Sequence, residues 1–106
     1  MSLRERLLDK GRLAVEPVEI ASFGETVYAR QISAGDLFRI VGNGEDALFQ
    51  NARLLIASIR DAAGDPVFTS DDVGAIQDAL TPIEFNSLVK AANKVSGLVE
   101  GDAEKK

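Results

Sequence analysis

Asp71 and Asp72 are the nearest approach in this sequence to a catalytic carboxylate pair. Acid–base work by two carboxylates requires them to converge on one bond, whereas neighbours in a first helical turn diverge. Capping of a helix beginning near Thr69 or Ser70 explains them better, since acids there complement the positive end of the helix dipole. Asp61, Gly64 and Asp65 have a loose likeness to a calcium loop, but the alternating oxygen ligands and the closing bidentate Glu are missing, so a turn is the better reading. The chain has no Cys and no His. That removes disulfides, thiolate nucleophiles, imidazole bases and the usual zinc ligand sets. The sequence therefore predicts no catalytic residue, no metal site, no cofactor and no enzymatic activity.

Charge narrows the partners next. Twelve Lys and Arg stand against seventeen Asp and Glu, a net of −5, which repels phosphate backbones unless basic residues gather on one face. The densest basic segment, Arg4, Arg6, Lys10 and Arg12, is interleaved with Glu5 and Asp9 and reads as a solvated helix face. The aromatics, Tyr28 and five Phe, fall mostly at positions a core would claim. No nucleic-acid partner is expected. No apolar run approaches the roughly 20 residues of a membrane span, and no signal-type segment opens the chain, so a soluble, cytosolic protein is expected.

The elements that position these residues can be read from caps and periodicity. Ser2 with Glu5, Ser33 with Asp36, Thr69 with Asp72 and Thr81 with Glu84 each have the spacing of a capping box, which predicts four helix starts. The last is strengthened by Pro82 at the first helical position and leads the longest helix, with Phe85, Leu88, Val89, Ala92, Val95 and Val99 along one stripe and Gly97 near its end. Leu48, Ala52, Leu55 and Ile59 trace another stripe, widened by Phe49 and Ile56. Gly64 and Pro66 predict that this helix stops near Ala62 or Ala63, after which Val67 and Phe68 return to the core. Between the first two helices the period falls to two: Val18 and Ile20, then Val27, Ala29 and Ile32, around a turn at residues 23–25. That pattern predicts a β-hairpin lying on the helices, with Glu19 and Arg30 on its wet face.

The expected fold is α+β: a small, mainly helical domain of four to five helices with a β-hairpin in its N-terminal half. With 106 residues, 45% apolar and 27% charged, one domain over residues 1–99 buries about two-thirds of its unfolded surface. Residues 100–106 have nothing to bury after Val99 and are expected to form a disordered charged tail.

The order of these segments carries a resemblance. Leu7-Leu8 with Gly11-Arg12-Leu13, the extended Val18-Glu19-Ile20 and Val27-Tyr28-Ala29-Arg30-Gln31-Ile32-Ser33-Ala34-Gly35, then Asn51-Ala52-Arg53-Leu54-Leu55, Asp61, Gly64 and Pro66-Val67-Phe68, resemble the tail assembly chaperones of long-tailed bacteriophages. Each motif is weak alone; their shared order and spacing give the likeness its weight. Ala29, and Asp65 before Pro66, depart from the pattern without mechanical consequence.

The resemblance implies a non-enzymatic assembly factor that holds the tape-measure protein, a long and partly apolar helical chain, and helps recruit subunits of the major tail (tube) protein. It implies self-association, residence in the host cytoplasm and absence from the mature virion. It also implies a longer form made by frameshifting near residues 105–106. A small structural virion protein of the tail completion or connector type, retained in the particle, is the alternative. The expected protein-binding residues are Tyr28 and Arg30 on the open hairpin face, and Phe49 and Arg53 on one edge of a helix, residue types favoured at binding hot spots.

Overall fold

The computed structural model describes residues 2–42 and 44–98, with the side chain of Lys10 left aside. Its elements run α1 (Leu3–Leu7), β1 (Val15–Val18), β2 (Val27–Arg30), α2 (Ala34–Val41), α3 (Ala47–Ser58), β3 (Ile59–Arg60), α4 (Val73–Ala79) and α5 (Pro82–Val95). The three strands form one antiparallel sheet in the order β1-β2-β3. The α+β class, the five helices and the hairpin agree with the sequence reading; the expected tail at residues 100–106, and Val99, lie outside the described residues.

All four capping positions hold. Ser2, Ser33 and Thr81 each accept a backbone N–H from Glu5, Asp36 and Glu84 at 3.1 Å, and those acids accept the N–H of the capping residue in return. Asp72 accepts the Thr69 N–H at 2.8 Å at the head of a 3-10 turn, Ser70–Asp72, that runs into α4. These devices need only local backbone donors, so spacing predicts them well. The cap of α3 has no acid three residues on: Asp46 accepts the Phe49 N–H at 3.1 Å without reciprocation, and the capping-box spacing passes over it. At the other end of α5, Gly97 takes φ 76°. The Leu98 N–H reaches the Asn93 carbonyl at 2.7 Å and the Gly97 N–H that of Lys94 at 3.2 Å, a Schellman ending that a Cβ at Gly97 would strain.

The hairpin differs from expectation in register and company. β1 begins earlier, at Val15, and Val15, Glu16, Pro17 and Val18 face Arg30, Ala29, Tyr28 and Val27. Pro17 is tolerated because β1 is an edge strand. The larger correction concerns α3, expected to run to Ala62 or Ala63. It ends at Ser58, and Ile59 turns extended (φ −80°, ψ 129°) to pair with Ala29. Ile59 is β-branched, and pairing with β2 buries its side chain to 1% exposure, which outweighs one more helical turn. Asp61 then closes the loop: its Oδ1 accepts the Ala63 and Asp65 N–H groups at 2.9 and 3.0 Å, with Gly64 at φ 90°.

Val18, Ala29, Ala52, Leu55, Ile59, Val73, Ile76, Leu88 and Val95 form the main core between the sheet and helices α3, α4 and α5. A second cluster of Ile40, Leu54 and Ala92 seats α2. Ser58, fully buried, donates its hydroxyl to the Arg30 carbonyl at 2.8 Å, tying the end of α3 to β2.

Candidate functional site

Strand alternation sends Ala29 into the core and Tyr28 and Arg30 to the opposite face of the sheet. The register places Pro17 and Arg60 across from Tyr28 and Val15 across from Arg30. Two arginines thus share this open face. Arg60 donates through Nη2 to the Ala57 carbonyl at 3.0 Å, while the Nε atoms of Arg30 and Arg60 are both buried with no protein partner. Burial, then the charge of Arg30, pushes the Arg60 guanidinium below its usual value; Asp36 and Asp65 act the other way. The rest of each half-buried guanidinium gives this face a cationic character that suits an acidic or carbonyl oxygen.

The second surface lies between α2 and α3. A groove of about 370 Å³ is lined chiefly by Asp36, Arg39, Ile40, Arg53, Ile56 and Ala57. Arg53 sits in it as a fork held by both oxygens of the Glu45 carboxylate, at 2.6 and 3.0 Å. Phe49 precedes Arg53 by one turn and is 39% exposed; it joins neither core cluster. Arg39 pairs with Asp36 at 2.7 Å. Burial works against the charge of the Asp36 carboxyl, but hydrogen bonds from Arg39 and Ser33, with the Arg39 charge, outweigh it and hold the group below its ordinary range.

Asp36 joins the two surfaces. It lines the groove that holds Arg53, and it also acts electrostatically on Arg60, which in turn feels Arg30. Asp36 thus shares a groove with Arg53 while its charge also reaches Arg60, an arrangement invisible in the sequence.

Sequence reasoning passed over Phe38, which is 74% exposed, and with it Val41 on the same helix. The signal was present. Of the eight residues of α2 only Ile40 is buried, and a residue two positions from an inward one lies about 200° round the helix. Leu48, expected on the buried stripe of α3, is 49% exposed because α3 begins at Ala47 and its first turn projects past the core. Phe38 and Val41 on α2, and Leu48 and Phe49 in the first turn of α3, are large apolar side chains left exposed. Among the described residues no cluster of three metal-ligating side chains occurs, and no helix is long and apolar enough to cross a membrane.

A small α+β domain with exposed apolar side chains, a carboxylate-held Arg53 and two half-buried arginines on one sheet face is equipped for contact with another polypeptide. Residues 10–96 match the family described as phage tail assembly chaperone, TAC, and the chain belongs to that family. Its fold is similar to that of the tail assembly chaperone of bacteriophage HK97, with a TM-score of 0.64 over 86% of this chain and 94% of that one at 19% identity. A search of curated proteins returned no match.

Proposed function

We propose that this tail assembly chaperone binds the tape-measure protein and helps recruit tube subunits, acting as several associated copies in the host cytoplasm and leaving before the virion is complete. The observation that carries the reading is the set of exposed apolar side chains on α2 and α3, with Arg53 held by Glu45, in a member of this family. A long helical ligand with exposed apolar stripes needs many modest contacts along its length. Small acidic copies supply them through avidity while keeping the complex soluble. In this reading Phe49 and exposed Phe38 meet apolar stripes of the ligand, and Arg53, Tyr28 and Arg30 meet its polar edges.

Co-expression with the tape-measure protein tests it. Phe49→Ala with Arg53→Glu, and separately Phe38→Ala, are expected to lower co-purification at least tenfold while helical circular dichroism is kept. Folded variants that co-purify as the parent does would place the contact elsewhere. Mass spectrometry of purified virions decides the alternative, since recovery of the chain in finished particles would make it a structural component.

A further inference from the structure

Two cations on the open face of the sheet stand without an ion pair among the described residues. The pairs found there are Arg39 with Asp36 and Arg53 with Glu45; Arg30 and Arg60 belong to neither, in a chain whose acids outnumber its bases by seventeen to twelve. Both are half-buried and close enough for the charge of Arg30 to act against that of Arg60. Arg60 does bond within the fold, to the Ala57 carbonyl, whereas the Arg30 side chain makes no hydrogen bond to a described residue. Asp36 and Asp65 offset the repulsion from a distance, but the Asp36 carboxylate already accepts from Arg39 and from the Ser33 N–H. Like charges held together at partial burial are costly, and a carboxylate set between two guanidiniums removes that cost.

The surroundings select the kind of anion. Val15, exposed, lies across from Arg30, and Pro17 and Arg60 flank Tyr28 on either side. Strand alternation puts all five on the face away from Ala29, so the guanidiniums border a platform of Val15, Pro17 and the Tyr28 ring. A mineral ion gains nothing from that platform; a polypeptide brings carboxylates and apolar side chains together. The edge of the sheet is a poor alternative. Because the Gln31 N–H bonds the Ala14 carbonyl, alternation turns the backbone of Pro17 outward, and with no N–H there β1 is ill suited to pairing with a further strand. Side chains on the face, rather than backbone along the edge, are what this sheet offers a partner.

We infer that this face docks an acidic segment of a partner polypeptide, a Glu or Asp carboxylate settling between Arg30 and Arg60 while apolar neighbours lie on Val15, Pro17 and Tyr28. The net charge of −5 sharpens the choice: the rest of the surface repels an acidic ligand, which is thereby directed to the one sheet face where two cations stand together. The inference deepens the functional reading, in which Tyr28 and Arg30 meet the polar edges of a long ligand, by giving those edges a negative sign. It rests on that reading for the identity of the partner, but its test needs no tape-measure protein.

The probe is a capped peptide of alternating Glu and Leu, titrated into the full chain and followed by heteronuclear NMR. The side-chain Nε–H signals of Arg30 and Arg60 are expected to shift together with the amides of β2 and β3. Arg30→Gln is expected to weaken binding about tenfold, the worth of one hydrogen bond to a charged group, with circular dichroism unchanged because the Arg30 side chain holds no described residue in place. Lys90→Gln removes the same unit of charge from the exposed side of α5 and is expected to leave binding as it was. The peptide with Lys in place of Glu, and inorganic phosphate, are expected to bind at least tenfold more weakly. Phosphate that binds as tightly, an equal loss in Lys90→Gln, or an Arg30→Gln protein that binds as the parent does would each overturn the proposal. Another occupant would do so too. Arg30 signals that move on dilution would put a second copy on the face, and signals that move when residues 99–106 are deleted would put that segment there, with its Glu100, Asp102 and Glu104. Tape-measure co-purification, read separately on the parent, tells the two readings apart: a protein that retains the tape-measure protein and ignores the acidic peptide refutes this contact alone, and the reverse refutes the functional reading alone.

Discussion

Leu55→Ala and Leu48→Ala occupy one sequence stripe and are expected to differ severalfold in cost. Leu55 is 0% exposed at the centre of the main core, where α3 meets the sheet and α5. The substitution removes three carbon groups at ~0.8 kcal/mol each, ~2.4 kcal/mol in transfer alone. The void left in a close-packed centre raises the loss to about 3–4 kcal/mol. Leu48 is 49% exposed, so half of the transfer contribution is already absent and no closed cavity forms, leaving ~1 kcal/mol. For a domain of this size each kcal/mol moves Tm by roughly 4–8 °C, so Leu55→Ala should lower it by at least ~12 °C and Leu48→Ala by ~4–8 °C. Urea unfolding followed by circular dichroism, at concentrations where the chain sediments as a monomer, measures both. Losses equal to within about 0.5 kcal/mol would refute the placement of the first turn of α3 outside the core.

Gly64→Ala should destabilise by about 1–2 kcal/mol, since φ 90° is costly for any residue with a Cβ. Gly74→Ala should do the opposite by ~0.5 kcal/mol, because Gly74 is helical and an added Cβ meets nothing within 4 Å; thermal melts compare the two. Thr81→Ala removes the cap of the longest helix and should cost ~1 kcal/mol by urea unfolding. The carboxyls of Glu5, held low chiefly by the Ser2 backbone N–H, of Glu84, held low chiefly by the Ser22 hydroxyl, and of Asp36 all titrate below their usual range in the fold. Depressed acids stabilise above their unfolded pKa and lose that contribution as pH falls through the folded value. Stability should therefore decline below about pH 4, with a shallower acid limb in Asp36→Asn.

Everything that depends on bonds within a few residues was legible in the order of amino acids. The four capping positions, the left-handed turn at Gly64 and the stripe of α5 through Leu88, Ala92 and Val95 require only near neighbours, so spacing and residue type determine them. The absence of Cys and His from the composition likewise closed off whole classes of chemistry before any fold was considered. Tertiary structure decided the rest. Ile59 fits a helical stripe as well as a strand, and only the proximity of Ala29 on β2 pulled it into the sheet. Leu48 and Leu55 are equivalent by period, yet one overhangs the core and the other fills it, because period gives direction around a helix and not where the helix meets its neighbours. Arg60 is distant in the chain from both Arg30 and Asp36 and feels their charges only because β3 returns to pair with β2, a convergence that no local pattern encodes.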